Sequence, residues 1–476
     1  MLLLINSNRM QPPIAPVGLD YIASAAQAAG IKVEILDLCL AEDPSAALKQ
    51  YFASHQPRLI GISFRNVDDC FWPSGQWFVP KLTDLVNAIR NLTDAKIFLG
   101  GVGFSIAPGR ILAQTGADFG VHGDGEQATI ALYQQIQGKQ DLSKVPGLLF
   151  KTDGQWRHNQ PAWPEPLSVP TARSFIDNRT YFQRGGQIGL ETKRGCARPC
   201  IYCADPLAKG NTFRLRNPRE IADEAEQLLA QDVDCLHICD GEFNLPRSHA
   251  LAVCQEFVRR RLGDRLRWYT YMSVTPFDSE LAALMRKAGC VGIDFTGDAA
   301  CPSMLKEYCQ PHIPADLASA VDLCRENNIT VMVDLLLGGP GETPKTVAES
   351  INFMKQIAPD AVGAPLGLRI YENTPAARII RSQGPLETNP SLRRKYSGDV
   401  DFLRPTFYIS SVLGEQPGRL VRDMIGDDPR FFAPEDEDVT DSDHNYNDNT
   451  PLVNAIAGGA RGAFWHILLQ LRTSNK

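Results

Sequence analysis

The sequence predicts an α/β protein made of two parallel-sheet units in series, followed by a small C-terminal region. Three observations carry that expectation. Short apolar runs alternate with amphipathic segments over residues 1–140, the alternation stops over 141–185, and it resumes from 186 to 389. Strands of a parallel sheet read as unbroken apolar runs because helices cover both faces.

In the first unit the apolar runs fall at 2–5, 33–36, 59–63, 96–99 and 118–121, with helical patterns at 16–29, 45–54, 79–91 and 127–137. Strand–helix alternation of this kind predicts a doubly wound, flavodoxin-like (Rossmann-type) domain over residues 1–140. Such sheets bind ligands beyond the carboxyl ends of their strands. Residues 141–185, rich in Pro, Asp and Gln, read as a connector with a small hairpin near 148–157. In the second unit the expected strands are 187–192, 235–239, 266–271, 291–295, 330–337 and 361–370. Helical patterns at 218–231, 246–262, 278–288 and 343–357 separate them. Six such units are too few for a closed eight-fold barrel, so residues 186–389 predict a partial (β/α)6, TIM-like barrel. From 390 to 476 the pattern fades, and residues from 376 onward are expected to cover the barrel mouth. The Asp-, Glu- and Asn-rich stretch 426–449 is expected as an exposed loop, and 462–471 as an amphipathic core helix.

Composition narrows the function. With 43% hydrophobic and 22% charged residues in 476, the chain is able to bury sizeable cores. A net charge of −7 argues against a general electrostatic footprint for nucleic acid. No run of 18 apolar residues occurs, and the first apolar run is too short for a secretion signal, so a cytoplasmic protein without membrane contact is expected. Scattered cysteines then read as reduced thiols.

Three of the 12 cysteines are clustered: residues 191–203 read ETKRGCARPCIYC. The C-x3-C-x2-C spacing of Cys196, Cys200 and Cys203, on a loop with Gly195 and Pro199, brings three thiolates to one soft metal centre. A four-iron cluster held by three thiolates keeps one iron open for a substrate-like molecule. The competing readings are buried free thiols, or a structural zinc site completed by Cys235, Cys239 or His237.

The triplet resembles the C-x3-C-x-aromatic-C motif of the radical S-adenosylmethionine superfamily, which implies a [4Fe–4S] cluster and bound S-adenosylmethionine. Tyr202 fills the aromatic position, implied to lie near the adenine. Asp240-Gly241-Glu242 resembles the family's Gly-Gly-Glu segment for the methionine amino group, with Asp in place of the first Gly. A carboxylate suits an ammonium in such a site. Asp294 stands where the family has a Glu that touches the ribose, and Arg369 lies in a segment similar to the one that passes the nucleoside. Residues 337–343, LGGPGET, resemble a turn common in these barrels, and equally suit a strand-to-helix turn capped by Thr343.

The first unit resembles the cobalamin-binding domain fused to one branch of that superfamily. The matching pieces are residues 61–63, the turn Gly100-Gly101-Val102-Gly103 and the segment His122-Gly123-Asp124-Gly125-Glu126. The resemblance implies cobalamin contacts at Gly101, Gly103, Gly123, Gly125 and Glu126. The loop after the first strand, Asn6 to Met10, lacks the His that many such domains give to cobalt. Arg65, at the end of the third strand, is similar to an Arg beneath cobalt in one methyltransferase branch, unless it pairs with Asp68 or Asp69.

The implied reaction is C-methylation of an unactivated carbon. The cluster cleaves S-adenosylmethionine to a 5′-deoxyadenosyl radical, and methylcobalamin supplies the methyl group. An oxidative cyclisation or rearrangement with the same cofactors, and a non-enzymatic iron–sulfur or zinc protein, are the other readings. Tyr269, Tyr271, Asp334 and Glu372 are expected to face the barrel interior near substrate. The implied partners are a small-molecule or peptide substrate and an electron donor such as flavodoxin or ferredoxin.

Overall fold

The computed structural model describes residues 1–138, 141–435 and 446–474. The first unit runs β1 (Leu2–Asn6), α1 (Val17–Ala28), β2 (Val33–Asp37), α2 (Pro44–Ser54), β3 (Leu59–Ser63), α3 (Val79–Arg90), β4 (Lys96–Gly100), α4 (Val102–Ile106), α5 (Pro108–Thr115), β5 (Phe119–Val121) and α6 (Gly125–Gln137). These five strands are parallel in the order β2-β1-β3-β4-β5. Every residue of β1 is buried, as its unbroken apolar run requires. Leu4 and Phe98 pack with Leu19 of α1 and Leu132 of α6 on one face, while Ile5, Ile62 and Leu99 pack with Val86 of α3 and Ile111 of α5 on the other. The order reverses between β1 and β3, so a crevice opens at their carboxyl ends.

The sheet does not stop where the alternation does. β6 (Leu148–Thr152) and β7 (Gln155–His158) extend it antiparallel beyond β5. The hairpin expected inside the connector thus belongs to the first sheet, where β6 covers the free edge of β5. The rest of the connector, with α7 (Asn178–Gly185), carries a buried ionic hub. Arg173, 1% exposed, bonds Asp20 of α1 at 3.1 Å, Glu224 at 2.8 Å, Asn178 at 3.1 Å and the Gly189 carbonyl at 3.1 Å. Arg216 takes the other Glu224 oxygen at 2.7 Å, and the Tyr21 hydroxyl donates to Glu224 at 2.8 Å.

The second unit continues with β8 (Ile188–Leu190), β9 (Lys193–Arg194), α8 (Asp205–Lys209), β10 (Arg214–Leu215), α9 (Pro218–Leu229), β11 (Cys235–Ile238), β12 (Arg267–Ser273), β13 (Cys290–Asp298), β14 (Thr330–Leu335) and β15 (Ala361–Gly363). Then come β16 (Leu368–Arg369), β17 (Leu392–Arg393), β18 (Phe407–Tyr408) and β19 (Phe431–Phe432). The order β8-β11-β12-β13-β14-β15-β19 is parallel throughout, an open barrel wall. The strand expected at 361–370 is two strands in two sheets. Pro365 offers no N–H to a ladder, and Gly367 turns the chain with φ +106°. A seventh wall strand, β19, falls inside the stretch 426–449 expected as an exposed loop: Phe431 is buried against β15, because two apolar residues among the acidic ones find a place on the edge of the wall.

That region covers both ends of the barrel. The sheet β16-β18-β17 packs Leu368 and Tyr408 in one core with Ile201 and Tyr202 of the cysteine loop, on the mouth side. The helix Phe464–Ser474 closes the opposite end, where Trp465 and His466 meet Tyr269 near the start of β12. Residues 436–445 of the expected acidic loop lie outside the described residues. Among the described residues, no helix is long and apolar enough to cross a membrane.

Candidate active site

Cys196, Cys200 and Cys203 lie on the loop from β9 to α8, beyond the carboxyl end of the first barrel strand, and all three are free thiols. Gly195 makes the entry turn. Its φ is +80°, and a Cβ there would sit 2.1 Å from the Thr212 carbonyl oxygen, so no other residue fits. The Gln310 side-chain amide donates to Cys200 Sγ at 3.2 Å. Among the described residues, no three His, Cys, Asp or Glu side chains converge as a single metal ion needs. A cluster makes no such demand, because each thiolate takes a different iron. Cys235 is buried in the wall and Cys239 lines a separate cavity, so neither completes a zinc site with the triplet.

The two acids after β11 have different fates. Asp240 accepts from Thr192 N at 2.8 Å and Lys193 Nζ at 2.8 Å, and also from the Thr192 hydroxyl. Burial opposes its ionisation, but Lys193 and these bonds hold the carboxyl below its ordinary range. Asp240 therefore anchors the strand end that leads into the cysteine loop and has no oxygen to offer an ammonium. Glu242 is the open one. Its Oε1 accepts from Thr296 Oγ1 at 2.8 Å, and its buried Oε2 has no partner. Burial pushes this carboxyl up to about 7.

Tyr202 donates to Asp298 Oδ2 at 2.5 Å, and Gln310 donates to the same oxygen at 2.5 Å. Asp298 ends β13 with φ +56°, and burial pushes its carboxyl up to about 7. Neither Asp298 nor Gln310 belongs to a sequence motif, and only their shared contact with Tyr202 reveals them. Asp294 lies four residues lower on β13, inside the barrel rather than at its mouth. Arg369, on the mouth-side strand β16, is already occupied and is not free to meet a nucleoside. Its guanidinium holds Asp68 at 2.7 Å and the carbonyls of Phe402 and Leu403, each at 3.2 Å, pinning the first unit to the last barrel segment.

A cavity of ≈ 380 Å³ opens between the strand ends of the first sheet and the barrel segments that flank the cysteine loop, lined by Gly101, Gly123, Gly125, Arg65, Glu126, Arg194, Lys209 and Cys239 among others. At two glycines the backbone approach is obligatory: a Cβ on Gly101 would sit 2.7 Å from the Phe64 carbonyl, and one on Gly103 2.8 Å from Asn66 N. Thr129 Oγ1, also on the cavity wall, is buried without a partner. Arg65 makes no surface pair, because Asp68 is taken by Arg369 and Asp69 by Ser74 and backbone amides. Its side chain is accessible from the cavity, and burial lowers its proton affinity. Glu126 lines the cavity but its carboxylate is held bidentately by Arg194, at 2.7 and 3.1 Å, so it clasps the two units rather than contacting a ligand. Asp124 is clasped by Arg214 in the same way.

The four residues expected near substrate divide. Tyr271 and Asp334 face the barrel interior. Tyr269 does not reach the working end: its hydroxyl meets His466 Nδ1 at 2.9 Å beneath the closing helix. Glu372 bonds Arg381 at 2.7 Å on the surface.

An open parallel barrel with a three-thiolate loop at its mouth, facing a glycine-lined crevice of a doubly wound sheet, defines a class. The chain matches the radical SAM superfamily over residues 190–354 and the B12 binding domain over residues 6–133. It belongs to the cobalamin-dependent radical S-adenosylmethionine methyltransferases, which work with cobalamin, S-adenosylmethionine and a [4Fe–4S] cluster. It is 31% identical to the radical S-adenosylmethionine methyltransferase TsrM from Kitasatospora setae, solved with tryptophan substrate and an S-adenosylmethionine analogue. That likeness covers 100% of this chain and 99% of the other, with a TM-score of 0.90. A second structure of the same enzyme holds cobalamin and a [4Fe–4S] cluster. Over 97% of the chain and 94% of the relative, it is 29% identical to the tryptophan 2-C-methyltransferase of Streptomyces laurentii. The cobalamin-dependent enzyme OxsB shares the fold, at 16% identity and a TM-score of 0.71, over 86% of this chain and 64% of the other.

Proposed function

We propose that this enzyme methylates C2 of tryptophan or of a tryptophan-like indole. The observation that carries this reading is the unbroken likeness to the tryptophan-bound enzyme, which includes the C-terminal region that shapes both ends of the barrel. Bound together, S-adenosylmethionine and cobalamin supply and relay the methyl group. Cys196, Cys200 and Cys203 hold the cluster. Glu242 would take the methionine ammonium on its open Oε2, and Tyr202, fixed by Asp298, would help hold the adenine. The glycine-lined cavity would hold the corrinoid, and Arg65, exposed on its wall, is the side chain that would meet it there in place of a His. A guanidinium is a poor ligand, and its charge disfavours higher cobalt oxidation states. The indole C2 belongs to an electron-rich ring that can attack a methyl donor directly, so this substrate does not require prior removal of a hydrogen atom. A cytoplasmic setting and a flavodoxin- or ferredoxin-type donor fit the reduced cluster.

The test is anaerobic reconstitution with cobalamin, S-adenosylmethionine and L-tryptophan. The product should gain one methylene unit, placed at C2 by NMR. An unchanged or merely oxidised indole would reject the reading. A separate outcome concerns Gln310. Hydrogen bonds to cluster sulfurs ease reduction. Replacing Gln310 with Leu removes the donor at similar volume and should move the cluster midpoint to more negative potential at unchanged iron content, read by EPR-monitored titration.

A further inference from the structure

The barrel interior holds two acids that the chemistry above leaves unused. On β13 and β14 alternate residues share a face, and the parallel register sets Asp294 beside Met332 and Thr296 beside Asp334. Thr296 bonds Glu242 at the mouth, which fixes this face as the interior one. Asp294 and Asp334 therefore lie on one inner surface just below Glu242. Tyr271 of β12 stands opposite Asp294 in register, with its ring 5.0 Å from His237.

Asp294 is unsatisfied, and the half-buried Asp334 makes no hydrogen bond among the described residues. Asp294 is 2% exposed and its Oδ1 has no hydrogen-bond partner. Among the described residues, no Lys or Arg forms an ion pair with either acid. Asp334 abuts Gly363 of β15, where a Cβ would fall 1.8 Å from Oδ1, so the neighbouring strand offers it no side chain. Burial pushes Asp334 up to about 7. Burial, then Asp334, then Glu242 raise Asp294 well above the carboxylate range. His237 is no counter-charge, because burial lowers it to about 4. Buried acids in proteins are paired, hydrogen-bonded, protonated or completed by a ligand, and two open acids side by side are the arrangement a cationic ligand completes.

We propose that Asp294 and Asp334 seat the ammonium group of the substrate, so that the enzyme selects an amine-bearing indole. This rests on the indole reading above. Three features choose the occupant. Two carboxylates with open oxygens match the three N–H donors and the charge of an ammonium. A metal ion would need a third ligand, and the described residues provide no such group. The methionine ammonium has its own open acceptor in Glu242 Oε2.

The experiment compares L-tryptophan, tryptamine and indole-3-propionate on the reconstituted holoenzyme, by turnover and by equilibrium binding. The wild type should bind and turn over tryptamine in preference to indole-3-propionate, which should lose at least about 100-fold in kcat/KM against tryptophan, because an unmatched buried acceptor rejects a ligand lacking its donor. Asp294→Asn and Asp334→Asn should raise KM for tryptophan at least about 10-fold, more than they lower kcat, and narrow that discrimination. Equal kcat/KM for tryptophan and indole-3-propionate in the wild type would overturn the seat while leaving the indole reading intact. Amine-dependent binding without methylation would sustain the seat and reject the indole reading. If the Asn variants instead only raise Tm and bind tryptophan as before, the acids merely share a proton and the seat is wrong.

Discussion

Replacing Cys200 with Ala should abolish methylation, a loss of at least about 10³-fold, while the corrinoid stays bound. Two thiolates are too few to hold the cluster, and Gln310 loses its sulfur partner but keeps Asp298. The fold should survive, because Cys200 is only half-buried on a loop and none of the three cysteines lines the 380 Å³ cavity. Iron analysis, corrinoid absorbance and product formation separate these effects. Loss of both cofactors together would mean that the loop supports the cavity, and retained turnover would remove the cluster assignment.

Replacing Arg173 with Met should cost about 3–5 kcal/mol of stability, because it strips a buried pair of one partner. Met fills much of the volume, so a void is not the cause. Asp20 keeps only the Phe175 amide, and Glu224 keeps Arg216 and Tyr21. Denaturant unfolding of the ligand-free protein measures the loss. The control is Arg247→Met: Arg247 bonds Asp278 and Glu280 on the surface, and its removal should cause no resolvable change. Comparable losses in the two variants would show that burial does not set the strength of the Arg173 hub.

Strands and cysteines were the most legible parts of the sequence. An apolar run such as residues 59–63 has one stable fate between two layers of helices, and three thiols within eight positions have few. Roles of single polar residues were much less legible. Asp240 and Glu242 are equivalent in a motif. The difference arises because Thr192 and Lys193, 48 and 47 residues away, saturate one and leave the other open. Glu126 has the same history with Arg194, 68 residues on, and Arg369 with Asp68 at a separation of 301. Asp298 and Gln310 were missed because nothing local marks them. β19 was missed because a two-residue strand carries no period; only its neighbours define it.

The clasp around the large cavity has a kinetic consequence. Arg194 and Arg214 bridge from the barrel to Glu126 and Asp124 at one side of the crevice, and Arg369 reaches Asp68 from another part of the barrel. These bridges tie both walls of the crevice together, so widening it for a ligand as large as a corrinoid would break a partly buried ion pair, at a cost well above that of a surface pair. The ease with which such a ligand exchanges should therefore depend on the bridges as well as on its own contacts.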